Sequence, residues 1–286
     1  MRVSVVIVNY NTYALTAACI RSVQMHTQAT DYEIILVDNA STERPATDFL
    51  QEFPQIQLVR CPENGGFARG NNAGIAVAQG EVILLLNSDT LLEEDALSKA
   101  AQYLSQHPDT GALTVGLFYP DGRVQHYARR FKALKYECLD LLRPLLYLLP
   151  YRKRAAWMLN QYYNNDFDVE CDWVGGAFFM MPRPALEALG GRLDERYFMY
   201  GEDQLWCMQL KEKGFKIRCF SGTRIIHLEG GSAKAGRKKK WNALLLHREL
   251  ELYALRWGKG ISYYAFAAVF TTKRAVAFAL LKLMGK

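Results

Sequence analysis

EVILLLNSDTLLEEDAL, Glu81 to Leu97, is the stretch on which the reading of the whole chain turns. Five aliphatic residues, Val82 to Leu86, run straight into Asn87, Ser88 and Asp89, and the sequence then becomes polar with helical spacing. An unbroken apolar run of this kind suits a strand buried on both faces, as the strands of parallel sheets are. Asn and Asp at such a strand end serve either as turn and helix-cap residues or as the wall of a site. Asp89 could cap the helix that LLEEDALSKAAQYL predicts, or its carboxylate could hold a hard divalent cation against phosphate.

The preceding eighty residues repeat the pattern. VSVVIVNYN, YEIILVDNAS and IQLVRC read as strands, while LTAACIRSVQMHT, PATDFLQEF and FARGNNAGIAVAQ have helical spacing. Strand alternating with helix four times predicts an α/β fold with a mostly parallel sheet flanked by helices. In such sheets ligands sit outside the carboxyl ends of the strands. Here those ends read NYNT, VDNAS, CPENGGFARG and LNSDT, all rich in Asn, Asp and Gly. After a helix reaching about Gln106, GALTVGLFYPDG predicts strand and turn, DWVGGAFFMMPR a strand, RYFMYGEDQLWCMQLKEKGF a loop entering a helix, and KIRCFSGTRIIHLEGG further strand.

Composition sets the outer bounds. The 286 residues are 50% hydrophobic and 22% charged, which fits one large core or two modest ones and argues against disorder. Six Cys without a C-x-x-C pair point to small core residues in a reducing compartment rather than to a zinc module or disulfide framework. Met1 leads almost at once into a strand-like run, so no secretory signal is visible and a cytoplasmic location is expected. CLDLLRPLLYLLPYRKRAAWML, Cys138 to Leu159, is very apolar, but Arg143, Pro144 and Pro150 break it into pieces too short to span a bilayer.

Seven motifs in order, VVIVNYNT, LVDNAST, NGGFARGNNAGI, LLLNSDT, WVGGAFFMMPR, FMYGEDQLW and IIHLEGGS, make the chain resemble family 2 glycosyltransferases of the GT-A fold, and among them the rhamnosyltransferase-type members. The likeness spans roughly Val3 to Gly231. It implies a GT-A domain over 1–231, with a nucleotide-sugar-binding half at 1–110 and an acceptor-binding half at 111–231, followed by a basic helical tail at 232–286. It implies an inverting transfer from a dTDP- or UDP-sugar, dTDP-rhamnose foremost, to a saccharide or lipid-linked acceptor in surface-polysaccharide assembly.

Residue by residue, the resemblance implies that Asp203 is the base, with Glu202 helping to position the acceptor. The donor would meet Val8, Asn9, Asn11, Asp38, Asn39, Gly66, Arg69, Asn72, Asn87, Ser88 and Asp89. Asp38 would accept from a pyrimidine N–H, and Arg69 would meet the pyrophosphate. Trp173, Gly175 and Gly176 would admit a sugar ring of donor or acceptor. Mg2+ or Mn2+ would sit on Asp89 and His227. Two departures stand out. Asn87 occupies the first position of the Asp-x-Asp pattern, and Leu205 stands where many relatives carry another acid after the 202–203 pair.

Two other classes fit less well. A nucleotidyltransferase would need an early glycine-rich loop with Arg and Lys, which VNYNTYALT lacks. A nucleic-acid binder would explain GRKKKW and the net charge of +6 but leaves the acidic strand ends without a purpose, so no nucleic-acid partner is expected. For the tail, SYYAFAAVFTTKRAVAFALLKLMGK, two readings stand side by side: contact with a membrane surface, or packing on the domain or on a second subunit.

Overall fold

The computed structural model describes residues 1–228 and 238–283, with side chains for 1–228 and 243–276. The basic cluster Gly236 to Trp241 and the end of the IIHLEGGS motif lie outside the described side chains.

The first half runs β1 (Val3–Asn9), α1 (Tyr13–His26), β2 (Tyr32–Asp38), α2 (Asp48–Glu52), β3 (Gln57–Arg60), α3 (Gly66–Ile75), β4 (Val82–Asn87), β5 (Thr90–Leu92) and α4 (Ala96–Gln106). The second half runs β6 (Thr110–Phe118), β7 (Val124–Gln125), β8 (Ala128–Arg129), α5 (Leu134–Leu141), α6 (Arg143–Leu146), α7 (Tyr151–Met158), β9 (Val169–Cys171), β10 (Trp173–Val174), β11 (Phe178–Pro182), α8 (Arg183–Ala188), α9 (Glu202–Glu212) and β12 (Lys216–His227). Two long helices follow, α10 (Lys238–Trp257) and α11 (Ile261–Leu283).

The main sheet has the order β3-β2-β1-β4-β11-β6-β12-β5. Its first four strands are parallel, and β11 enters antiparallel between β4 and β6, so one sheet runs through both halves of the chain. Val5, Val6, Ile7, Ile35, Leu36 and Val82 to Leu85 are fully buried, the both-faces burial that their unbroken apolar runs predict. Helices on either side divide the core into two large clusters.

Strand order reverses at β1, whose neighbours are β2 on one side and β4 on the other. The carboxyl ends of β1 and β4 therefore flank the switch point, where an open α/β sheet leaves a crevice for ligand. Beyond β4 the structure departs from the expected helix start. Thr90–Leu92 form a short strand paired with Ile225–His227, and Asp95, not Asp89, caps α4 by accepting from Ser98 N at 3.1 Å. Asp89 is thereby released from the capping role.

The four buried cysteines and the two more exposed ones are all free thiols. No helix among the described residues is long and apolar enough to cross a membrane.

Candidate active site

One run of contacts follows the strand ends. Asn9, last residue of β1, donates from Nδ2 to Asp38 Oδ1 (3.1 Å) and to Ser41 Oγ (2.9 Å), while its Oδ1 accepts from Thr12 and Thr16. Ser41 N closes the loop on Asp38 Oδ2 at 3.3 Å. Asp38 and Asn9 are both buried, so this network fixes the turn after β2 before any ligand arrives. Val8 pairs with Asn87 across β1 and β4, which brings the two strand ends to one level. Thr12 Oγ1 lies 3.3 Å from Ser88 Oγ, linking the β1 end to the β4 end.

At the β4 end, His227 Nε2 faces Asp89 Oδ1 at 3.2 Å and Asn87 Nδ2 at 3.5 Å. The other ring nitrogen, Nδ1, meets Gln125 Oε1 at 2.8 Å and the Tyr127 hydroxyl at 3.2 Å. Gln125 Nε2 donates to the His227 carbonyl at 2.7 Å, so its Oε1 can only accept and Nδ1 must carry the proton. Nε2 is thereby turned to the Asp89 carboxylate. A neutral imidazole nitrogen beside a carboxylate oxygen is a donor set that Mg2+ or Mn2+ accepts. Among the described residues no group of three or more His, Cys, Asp or Glu is placed to hold a metal ion.

Across the crevice, α9 opens with Glu202 and Asp203 after Gly201, which adopts φ +95°. Asp203 is half-buried; Gly176 N donates to its Oδ2 (3.2 Å) and Gln204 N to its Oδ1 (2.8 Å). Burial raises its pKa above the usual carboxylate value, with those N–H groups and the Arg129 charge pulling the other way. Glu202 is more deeply buried, and its Oε2 has no hydrogen-bond partner. Burial, then the Asp203 charge, pushes its carboxyl well above the ordinary range. Asp203 is thus the member of the pair that two backbone donors favour as an anion, beside a protonated Glu202.

The α3 loop joins these sides. Asn39 Nδ2 donates to Asn64 Oδ1 (2.9 Å) and the Gly66 carbonyl (3.1 Å), and its Oδ1 accepts from Gly65 N at 3.2 Å. Gly66 has φ +83°, and a Cβ there would lie 2.2 Å from the Phe198 carbonyl oxygen, so only glycine lets the α3 entry meet the loop that leads to α9. Phe67 N also donates to that carbonyl. Arg69 lies on α3 in an exposed ion pair with Glu63 at 2.6 Å, a weak restraint that a phosphate could replace.

Other residues expected at the site also make contacts within the protein. The Asn72 amide is spent on protein: it donates to the Leu193 carbonyl and Glu195, and accepts from Leu193 N, all within 2.9 Å. Asn11 is left-handed (φ +52°), and its Oδ1 holds Thr42 N and Glu43 N; it builds the loop beside the crevice. Gly175 makes room for the Tyr127 ring, since a Cβ there would lie 2.0 Å from it. Gly176 faces Phe67 and spends its N–H on Asp203. Trp173 is 9% exposed, donates to the Arg130 carbonyl and lies against the Arg129 guanidinium.

Gln125, Tyr127, Arg129 and Glu249 are the participants that the sequence does not announce. Glu249 comes from α10, where burial raises its pKa while Lys132, Arg129 and Gln204 favour its charged form. A cavity of about 320 Å3 lies here, lined among others by Arg129, Arg130, Lys132, Trp173, Glu249 and Lys273.

Comparisons with known proteins bear on the family and the fold. The O-antigen biosynthesis protein RfbC of Myxococcus xanthus is 24% identical over 82% of this chain, which spans only 18% of that protein. The N-acetylglucosaminyl-diphospho-decaprenol L-rhamnosyltransferase of Mycobacterium tuberculosis is 26% identical over 68% of this chain and 66% of its own length. Among solved structures, the mannosyltransferase PcManGT of Pyrobaculum calidifontis, in complex with GDP-Man and Mn2+, superposes with a TM-score of 0.61 at 17% identity, covering 94% of this chain and 69% of that one; this likeness concerns the GT-A fold. The model of glycosyl transferase family 2 matches residues 4–188, well over half of the sequence, and the chain belongs to that family.

Proposed function

We propose that this chain is an inverting glycosyltransferase that moves a sugar from a nucleoside-diphosphate sugar to a hydroxyl of a saccharide or lipid-linked acceptor in surface-polysaccharide synthesis. The observation that carries the reading is the pairing of Asp89 with an Nδ1-protonated His227 at the switch point, with the Asp203 carboxylate across the same crevice. Asp38 and the Asn9 network form the wall for the nucleoside, and the α3 amino end with Arg69 faces the diphosphate. Asp89 and His227 would hold Mg2+ or Mn2+, which when bound offsets the charge building on the departing diphosphate.

Asp203 takes the proton of the acceptor hydroxyl as that oxygen bonds to the anomeric carbon and the bond to the diphosphate breaks. Its two backbone donors orient it, and burial makes it a stronger base than an exposed carboxylate while it stays ionised beside protonated Glu202. Attack from the face opposite the leaving group inverts the anomeric centre. The mycobacterial relative's name favours rhamnose as the sugar and a diphosphate-linked acceptor; dTDP-rhamnose is the first reading of the donor and a UDP-sugar the second, because Asp38 would accept equally from uracil or thymine.

Transfer assays with dTDP-rhamnose, UDP-glucose and GDP-mannose, with Mn2+ or Mg2+, test this directly. Asp203→Asn should lower turnover by at least about a hundredfold, the scale of a lost general base, while nucleotide affinity stays within about twofold. Retained turnover would move the base elsewhere, and absence of metal-dependent nucleotide binding by the unaltered protein would remove the transfer reading.

A further inference from the structure

The segment that contributes Arg143, Met158 and Asn160 to the lining of the 320 Å3 cavity carries leucine on both of its faces. On the inner face Leu146 is buried with Met158 and Tyr162, and Leu139 and Leu149 pack against them. On the outer face Leu141 (60% exposed), Leu142, Leu145 and Leu148 (80%) stand in solvent, joined by Tyr147 and Trp157. Scattered exposed apolar residues are normal, whereas a contiguous leucine face on short helices marks a surface that something else covers. From Leu141 to Asn165 the chain also carries Arg143, Arg152, Lys153 and Arg154 without a single acid. Arg152 and Lys153 are exposed, and the Arg143 side chain is half exposed while pairing with Asp140 at 3.0 Å.

Apolar side chains ringed by bases, on helices of eight, four and eight residues, are the chemistry of an in-plane contact with an anionic lipid surface. The geometry points to α5–α7, and not the C-terminal tail alone, as the face that seats this protein on an anionic bilayer, with the outer leucines at the acyl boundary and Arg143, Arg152 and Lys153 at the headgroups. A second copy of the chain fits this face poorly. A two-fold contact would bring two such basic patches together, and the nearby carboxylate of Asp140 is already committed to Arg143 and Lys273. Nucleic acid would meet the bases but leave the leucines in water. The same segment lines the cavity through Arg143, Met158 and Asn160, so the membrane face and the pocket that Arg129 and Glu249 also line share a wall.

Flotation of the full-length protein with vesicles of phosphatidylcholine containing about a third phosphatidylglycerol tests the assignment. The protein should float with these vesicles, much less with pure phosphatidylcholine, and less as salt screens the bases. Leu145→Glu/Leu148→Glu should cut the bound fraction at least tenfold, with an unchanged melting curve and unchanged donor hydrolysis. Arg152→Glu/Lys153→Glu, which leaves the leucines in place, should also cut it and flatten the salt dependence. An unaltered protein that stays below the gradient, or a leucine variant that floats like it, overturns the inference. So does a dimer that Leu145→Glu/Leu148→Glu converts to monomer while neither form floats.

Discussion

Replacing Glu202 with Gln should change how stability depends on pH, and the structure sets both sign and size. The Glu202 carboxyl is 6% exposed, and its Oε2 meets no donor. Burial first, then the Asp203 charge, raise its pKa from 4.5 to about 8. Below pH 4.5 the group is protonated folded and unfolded, and contributes nothing. Between 4.5 and 8 the unfolded chain releases a proton that the folded protein keeps, so stability falls as pH rises, and above 8 the full cost is present. At about 1.4 kcal/mol per tenfold change in proton affinity, the ceiling is roughly 4–5 kcal/mol, less the share of the charge that Asp203 carries. Urea unfolding of the protein and of Glu202→Gln at pH 5, 6.5, 8 and 9 reads this as a growing difference in favour of the variant. A difference that stays flat within about 0.5 kcal/mol across that window would mean that Glu202 is ionised at low cost, and the reasoning that makes Asp203 the anionic partner fails with it.

Gln125→Leu removes the acceptor that fixes the His227 tautomer, so Mn2+-dependent binding of dTDP or UDP, measured by calorimetry, should weaken about 10–100-fold; unchanged affinity would reduce Gln125 to filler. Gly175→Ala forces a Cβ to within 2.0 Å of the Tyr127 ring, and should cost about 1–3 kcal/mol in urea unfolding as the ring is pushed off His227. A melt within 0.5 kcal/mol of the original, about the noise of such comparisons, would show that Tyr127 swings aside freely. Asn72→Ala should cost about 1–3 kcal/mol by orphaning groups of the 193–195 loop while nucleotide affinity holds. A tenfold loss of affinity at constant stability would return Asn72 to the ligand wall.

Physical reasons separate what the sequence makes legible from what it hides. β1, β2 and β4 announce themselves because burial on both faces demands uninterrupted apolar residues, and their polar ends then mark the crevice. β5 does not: Thr90–Leu92 is too short to show a period, and its strand character comes only from pairing with β12. The antiparallel entry of β11 between β4 and β6 is equally silent, since FFMMP reads the same in either direction. Asp89, His227 and Asp203 are readable through the motifs around them. Gln125 and Tyr127 sit in an irregular stretch and gain meaning only because β12 carries His227 back to them.

The tail illustrates the same limit from the other direction. As sequence, 232–286 is a basic appendage beyond the family motifs. In the fold, Leu252 of α10 is 1% exposed and belongs to the core cluster that contains Trp206 and Tyr197. Arg248 places its guanidinium 3.7 Å above the Tyr197 ring, and Glu249 sits by Gln204, next to Asp203. α11 closes the other side, where Lys273 bridges Glu137 and Asp140 while Phe266 and Phe270 stack beside Tyr253. A helix pair that covers the loop before α9 and lends a carboxylate to its amino end cannot be only a membrane handle. It also holds α9, and therefore Asp203, at the depth where burial can raise the acid's pKa, which ties the end of the chain to the chemistry proposed for its middle.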